Sequence, residues 1–407
     1  MRLQCDHQTK IVCAGPLFCL SRAIDREYME RHGSPSPAAL RGRTGELFNK
    51  HKTITGNAVA QIGAVAANVN NAVPVIDLGP YFAGTPDGKR QVATELDRAC
   101  RDIGFYVIVG HGIDAQLIEQ TESVSREFFN LPIDEKMKVH IGDTPGAVGY
   151  AAVGDTALAY TRGQVAPPDL NESFQIAKVD VTDDSYFENA AARGFIPRNR
   201  WPERPSALKA LYTKYYLTMG ALAADLMQLS ALALDLPETY FDDKIHRHIS
   251  RLNVRLYPEQ KKAPLPGQLR AAAHTDYGTV TILKPGDSIG GLQFADVHGN
   301  WHDVPVIPGS FVVNQGDLMA RWTNDRWRSA LHRVANPPKE ANGGSRRLSI
   351  IFFHHPNYDT TVSCLPTCVG SGASPTYEPI TVSDYYMMKK SQQRMARAKA
   401  LQATAAG

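Results

Sequence analysis

Apolar and polar positions change rhythm along this chain. In the second half the apolar runs are short, β-branched and heavily punctuated. Thr279-Val280-Thr281-Ile282-Leu283 predicts a strand, and Gly290-Gly291-Leu292-Gln293-Phe294 and Phe311-Val312-Val313-Asn314 predict two more. Gly, Pro, Asp and Asn separate them, the residues that favour turns. Ser329-Ala330-Leu331-His332-Arg333-Val334 alternates, and Leu348-Ser349-Ile350-Ile351-Phe352-Phe353 is again a β-type run. Short strands at this spacing suit a double-sheet jelly roll, also called a double-stranded β-helix.

Helical periods flank those runs. Asp114 can cap a helix in which Leu117, Val124 and Phe128 recur at helical spacing. After Pro205 and Ser206, the positions Leu208, Leu211, Tyr215, Leu222, Leu226 and Leu229 form an apolar stripe. A stripe of this kind predicts a helix buttressing the major sheet. The segment from Ser383 to about Ala400 is rich in Met, Lys, Arg and Gln and reads as a terminal helix. The expected fold is mainly β with flanking helices: a jelly-roll core with a helical N-terminal region. The expected boundaries are a mobile extension over 1–71, an N-terminal region over 72–205, a jelly-roll domain with its helix over 206–375, and a helical tail over 376–407. Inside the extension, Ile11 to Leu20 is a short apolar stretch, a poor signal or transit peptide without an evident small-residue cleavage site.

Composition narrows the partners. The 407 residues carry a net charge of +3, and 21% are charged. No long basic block or interleaved aromatic–basic patch is present, so nucleic acid is not an expected partner. No apolar run reads as long enough to span a membrane, so no membrane partner is expected either. The cysteines Cys5, Cys13, Cys19, Cys100, Cys364 and Cys368 are too sparse for a disulfide scaffold and fit a reducing compartment. Cys364 and Cys368 lack a second pair at zinc spacing. Asn171-Glu172-Ser173 is a glycosylation sequon by pattern alone. These features describe a cytoplasmic monomer acting on a small molecule.

The chemistry sits in His274-Thr275-Asp276 and, far downstream, His332. Residues i and i+2 of an extended segment point to one side, so His274 and Asp276 can grip one ion while Thr275 points away. A further ligand on the same face must come from another strand. His332 is the candidate, among 13 histidines that include His298, His302, His354 and His355 nearby. Two imidazoles and one carboxylate are the donor set of non-haem Fe(II) oxygenases. Arg347-Leu348-Ser349 repeats the spacing. A guanidinium and a hydroxyl on one face make a receptor for a carboxylate.

Several blocks in order carry a resemblance. His274-Thr275-Asp276-Tyr277-Gly278 with Thr281, Gly290-Gly291-Leu292-Gln293, and the run from Pro308 to Asp317 are three of them. Trp322-Thr323-Asn324-Asp325-Arg326-Trp327, Leu331-His332-Arg333-Val334 and Arg347-Leu348-Ser349 continue the series. In the first half, Val73-Pro74-Val75-Ile76-Asp77-Leu78, Gly104-Phe105-Tyr106-Val107, Gly110-His111-Gly112-Ile113, Phe128-Phe129-Asn130-Leu131-Pro132 and Asn199-Arg200-Trp201-Pro202 agree. Together they resemble the iron- and 2-oxoglutarate-dependent dioxygenases of the isopenicillin N synthase-like group, over residues 72 to 390.

The resemblance implies that His274, Asp276 and His332 are iron ligands. It implies that Arg347 and Ser349 bind the distal carboxylate of 2-oxoglutarate, and that Tyr257 in Arg255-Leu256-Tyr257-Pro258 hydrogen-bonds this cosubstrate. The plant relatives usually read Asn-Tyr-Tyr-Pro there; Arg255 and Leu256 depart from that, which points away from plant hormone and flavonoid substrates. The implied activity is hydroxylation or desaturation of a small metabolite, in the manner of secondary metabolism. It consumes O2 and 2-oxoglutarate on Fe(II), releases succinate and CO2, and takes ascorbate as an assay additive. The alternative is an oxidase of the isopenicillin N synthase or aminocyclopropane-carboxylate oxidase kind, which uses no 2-oxoglutarate. A catalytically retired binding protein is the third reading. The barrel interior is expected to be walled by Ile282, Phe311, Ile351 and Phe353, as plain core more than as substrate contacts, with Phe174, Tyr150 and His355 either lining the pocket or purely structural.

Overall fold

Two sheets face each other across the site. The major sheet holds eight strands in the order β1 (Val75–Asp77), β2 (Phe105–Val109), β10 (Phe311–Gln315), β7 (Val280–Lys284), β12 (Arg347–Phe353), β5 (Arg251–Tyr257), β4 (Glu172–Ile176) and β3 (Gly149–Ala151). The minor sheet holds four, β6 (Ala271–His274), β11 (His332–Val334), β8 (Leu292–Ala295) and β9 (Trp301–Asp303). A short antiparallel pair, β13 (Thr361–Val362) with β14 (Ile380–Thr381), lies before the tail. This computed structural model describes residues 73–405 except 143–147, 180–184, 189–194, 287–290, 339–343 and 371. The expected extension, its apolar stretch, Cys5, Cys13, Cys19 and Gly290 lie outside the described residues.

The pairing explains the strand sequences. Apart from the parallel β1–β2 pair, the ladders of the two facing sheets are antiparallel. In β12, Leu348, Ile350 and Phe352 enter a large apolar core, while Arg347, Ser349, Ile351 and Phe353 line a cavity on the other side. This period-2 separation lets one strand serve the helices with one face and the site with the other. N-terminal strands complete both ends of the major sheet: β1 and β2 at one, β3 and β4 at the other.

Helices α1 (Pro86–Asp102), α2 (Ala115–Phe129) and α3 (Leu208–Ala233) pack on the major sheet, while α4 (Asp317–Trp322) packs on β13 and α5 (Val382–Ala405) on β14 and the turn at Leu158–Arg162. Thr85 caps α1 by accepting from Gly88 N at 3.1 Å, and Asp114 caps α2 by accepting from Gln116 N at 2.9 Å. Each satisfies a backbone donor that the helix itself leaves without a partner. Helix α3 packs against α1, α2, β5 and β7. Its burial is wider than the expected stripe, because Tyr212, Tyr216, Met219, Ala223 and Met227 are also buried. The expectation that no apolar run reaches membrane length is corrected here: α3 is long and apolar enough to cross a bilayer. Most of that stretch is buried inside the protein, and apolarity all round is what burial on several faces requires.

Candidate active site

Strand pairing brings the two histidines together. His274 ends β6, His332 opens β11, and the two are direct cross-strand partners. Their rings lie 4.2 Å apart between centroids. Asp276 sits just past the end of β6. Its Oδ1 is 3.8 Å from His274 Nε2, and its Oδ2 is 3.7 Å from His332 Nε2. One donor atom from each residue falls within 4.8 Å of the others, and all three residues are buried. Among the described residues no other group of His, Cys, Asp and Glu meets that condition. The neighbouring histidines are engaged elsewhere: His302 Nε2 bonds Asp296 at 2.8 Å, and His354 Nδ1 bonds Thr279 Oγ1 at 2.6 Å.

The surroundings orient these donors. His274 Nδ1 donates to Ala272 O at 2.8 Å, and His332 Nδ1 donates to Ala330 O at 3.0 Å. Both bonds place the ring proton on Nδ1 and leave the Nε2 lone pair facing Asp276. Asn314 Nδ2 donates to Asp276 Oδ2 at 2.8 Å. Burial and the adjacent His332 hold His274 down to about 3, so it is neutral and able to act as a ligand. Burial works to raise the Asp276 carboxyl, but His332, His274, and hydrogen bonds from Asn314 and Thr281 hold it below the usual range. A carboxylate beside two imidazoles fits a divalent first-row metal ion. Behind it, Gly278 packs so closely on the His354 carbonyl that a Cβ there would clash.

A cavity lies beside this triad. Arg347, Ser349 and Tyr257 share its wall. Arg347 is 2% exposed, donates through Nε to Ser349 Oγ at 3.3 Å, and carries its guanidinium carbon 5.8 Å from the Tyr257 ring centre. Arg347 and Tyr257 are cross-strand partners, as are Ser349 and Arg255.

Some expected wall positions fall on the opposite face. Ile351 and Phe353 line the cavity, but Ile282 and Phe311 pack into the helix-side core. Their neighbours take the inner positions: Thr281 and Leu283 on β7, and Asn314 on β10. Tyr150 and Phe174 also face the helices. Tyr150 donates to Glu172 Oε2 at 2.6 Å, and Phe174 packs 4.8 Å from the Phe128 ring. His355 is buried near the Asp276 charge and lies edge-on to Tyr386 of α5. In each misplaced case the residue is one position off the inward parity, and a one-residue step in a strand reverses the side. The sequence reading also passed over roles for Asn314, Asn253 and Arg255, polar residues inside apolar strands, which is the available signal. Asn171 of the sequon is 2% exposed and donates to Arg270 O at 2.8 Å, so it offers no accessible acceptor in the folded chain.

A double-sheet barrel with two imidazoles and a carboxylate converging between its sheets defines a non-haem iron oxygenase. Comparison with known proteins agrees. Residues 73–204 match the family described as non-haem dioxygenase in morphine synthesis N-terminal, and residues 247–356 match the 2OG-Fe(II) oxygenase superfamily. A 2-oxoglutarate-Fe(II) type oxidoreductase from Emericella nidulans is 33% identical over 77% of this chain and 88% of its own length. A homoarginine-6-hydroxylase from Glycine max is 30% identical over 73% of this chain and 89% of its own. The Neurospora crassa T7H structure with alpha-KG and thymine is 29% identical, with a TM-score of 0.67, covering 80% of this chain and 97% of that one. The chain belongs to the iron- and 2-oxoglutarate-dependent dioxygenases. It is an enzyme that oxidises a small molecule with Fe(II), 2-oxoglutarate and O2, releasing succinate and CO2.

Proposed function

We propose that His274, Asp276 and His332 hold the Fe(II), and that Arg347, Ser349 and Tyr257 hold the 2-oxoglutarate. The convergence of the three donor atoms within 4.8 Å carries this reading. Bound there, the iron supplies the activation of O2 that oxidises an otherwise unreactive C–H bond. The protein's part is positioning. Backbone carbonyls of Ala272 and Ala330 keep both Nε2 atoms available, and Asn314 orients the carboxylate. Arg347, buried in the cavity wall beside Ser349, offers paired N–H donors to a carboxylate that would otherwise be costly to bury. Leu283, Leu292, Val334 and Ile351 supply apolar stretches of the wall that limit water around the reacting atoms.

On this reading the reaction is a hydroxylation or desaturation of a metabolite. The assay is succinate release from 2-oxoglutarate with Fe(II) and candidate substrates, beside iron uptake measured anaerobically. Iron uptake without any 2-oxoglutarate turnover would favour the oxidase reading, and no iron uptake would sink the metal assignment. We take the enzyme to work as a cytoplasmic monomer without nucleic-acid or membrane partners. The modest charge and sparse cysteines support this, and sedimentation of the purified protein tests the monomer.

A further inference from the structure

The inner face of the barrel beyond the 2-oxoglutarate clamp is unexpectedly polar. Ser349 pairs with Arg255, which pairs on its other side with Ser173. One step further along, Ile351 pairs with Asn253, which pairs with Gln175. The alternate residues Leu252, Val254 and Leu256 of β5, with Phe174 and Ile176 of β4, all enter the helix-side core. Arg255, Asn253, Gln175 and Ser173 therefore share the inward face with Arg347 and Tyr257.

Two of these side chains are incompletely satisfied. Asn253 is 6% exposed and gives its Nδ2 to Gln175 Oε1 at 3.1 Å, while its Oδ1 has no hydrogen-bond partner among the described residues. Arg255 lines the cavity, and its buried Nε also has no partner among the described residues. Leaving such atoms unpaired in the interior costs free energy, so they mark a place where a ligand completes the bonding. Arg255 lines the same cavity as His274, Asp276 and His332. Arg255 stands directly opposite Ser349 of the carboxylate clamp, and Asn253, opposite Ile351, lies one row beyond it.

Resting on the functional reading above, we propose that Arg255 and Asn253 form the specificity subsite for the oxidised substrate. That substrate is a small carboxylate-bearing molecule with an N–H or O–H donor next to the carboxylate: an amino, acylamino or hydroxy acid. Arg255 takes the carboxylate, and Asn253 Oδ1 accepts from the adjacent donor. Guanidinium suits the first task because it presents a fork of donors to two oxygens. A carboxamide oxygen suits the second because it can only accept.

The test uses the full chain loaded with Fe(II) and 2-oxoglutarate under nitrogen, as wild type, Arg255→Gln, Arg255→Lys and Asn253→Leu. The probes are α-amino acids, their N-acetyl derivatives and the matching 2-hydroxy acids, each beside its methyl ester. Binding is read as a ligand-dependent rise in unfolding temperature, and succinate release in air is read in parallel. The subsite predicts that at least one free acid binds and stimulates turnover while its ester does not. Arg255→Gln should weaken that acid by about 10- to 100-fold, the worth of a hydrogen bond to a charged group, with 2-oxoglutarate affinity unchanged. Arg255→Lys should restore part of the loss, and it carries the comparison if the glutamine variant fails to fold. Asn253→Leu should also weaken the acid. Esters binding as well as acids, or no acid binding at all, overturns the subsite. So does Arg255→Gln weakening 2-oxoglutarate while sparing the acid, which would assign Arg255 to the cosubstrate's own carboxylate. A wild type that fails to bind 2-oxoglutarate would instead overturn the functional reading beneath it.

Discussion

Lys389 on the C-terminal helix lies 3.1 Å from Asp317 Oδ2, and the backbone N–H of Asp317 donates to the carbonyl of Asp276 at 2.8 Å. The tail is thus linked through Asp317 to the backbone of the residue that carries the triad's carboxylate. Tyr385 adds a hydroxyl to the same Oδ2 at 2.7 Å, and Ser329 donates to Oδ1 at 2.7 Å. Asp317→Ala should release α5 from the loop that carries Asp276. Hydrogen exchange across the start of α5 should rise, together with a loss of roughly 1–3 kcal/mol in stability. Unchanged exchange there would mean that α5 is held by its apolar contacts alone.

Asn314 orients Asp276 through its bond to Oδ2. Asn314→Ala should weaken Fe(II) binding by about 10- to 100-fold, the usual effect of removing a partner that positions a metal ligand. Isothermal titration with Fe(II) under nitrogen measures it. Wild-type affinity in this variant would show that the carboxylate holds its orientation without the amide.

Asp276→Ala removes the only anion of the proposed ligand set. Turnover should vanish and iron uptake should fall sharply. Retained activity would mean that the carboxylate is misassigned.

Arg347→Ala leaves the proposed 2-oxoglutarate carboxylate buried without its charged partner, at a cost of roughly 2–5 kcal/mol. The 2-oxoglutarate concentration for half-maximal turnover should rise by orders of magnitude. Arg347→Lys should recover only part, since an ammonium cannot reproduce the planar fork. An unchanged requirement in Arg347→Ala would place the cosubstrate elsewhere.

Away from the site, Lys136 Nζ and Glu172 Oε2 meet at 2.7 Å with both residues buried, and Tyr150 donates to the same oxygen. Lys136→Ala should destabilise the fold by about 3–5 kcal/mol, because it strands a buried carboxylate. Lys136→Ala with Glu172→Gln should recover much of that loss. Denaturant unfolding of the single and double variants checks both statements.

What was legible in the sequence was local chemistry. His274 and Asp276 share a side because they are two apart on extended backbone, and the same spacing joins Arg347 to Ser349. Strand runs around Val280, Phe311 and Ile350 were visible from β-branched density, and the α2 cap from Asp114 beside its apolar period. Tertiary structure decided the rest. The choice of His332 among many histidines depends on β11 pairing with β6 in one register. Ile282 and Phe311 fell outside the cavity, and Thr281 and Asn314 inside it, because inward parity is set by pairing with β10, β7 and β12 rather than by each strand's own letters. The row from Ser173 through Arg255 to Ser349 exists only when β4, β5 and β12 align, although its outer members, Ser173 and Ser349, lie far apart along the chain. Side-chain period is a property of one strand, whereas register is a property of two, and a slip of one residue reverses every face.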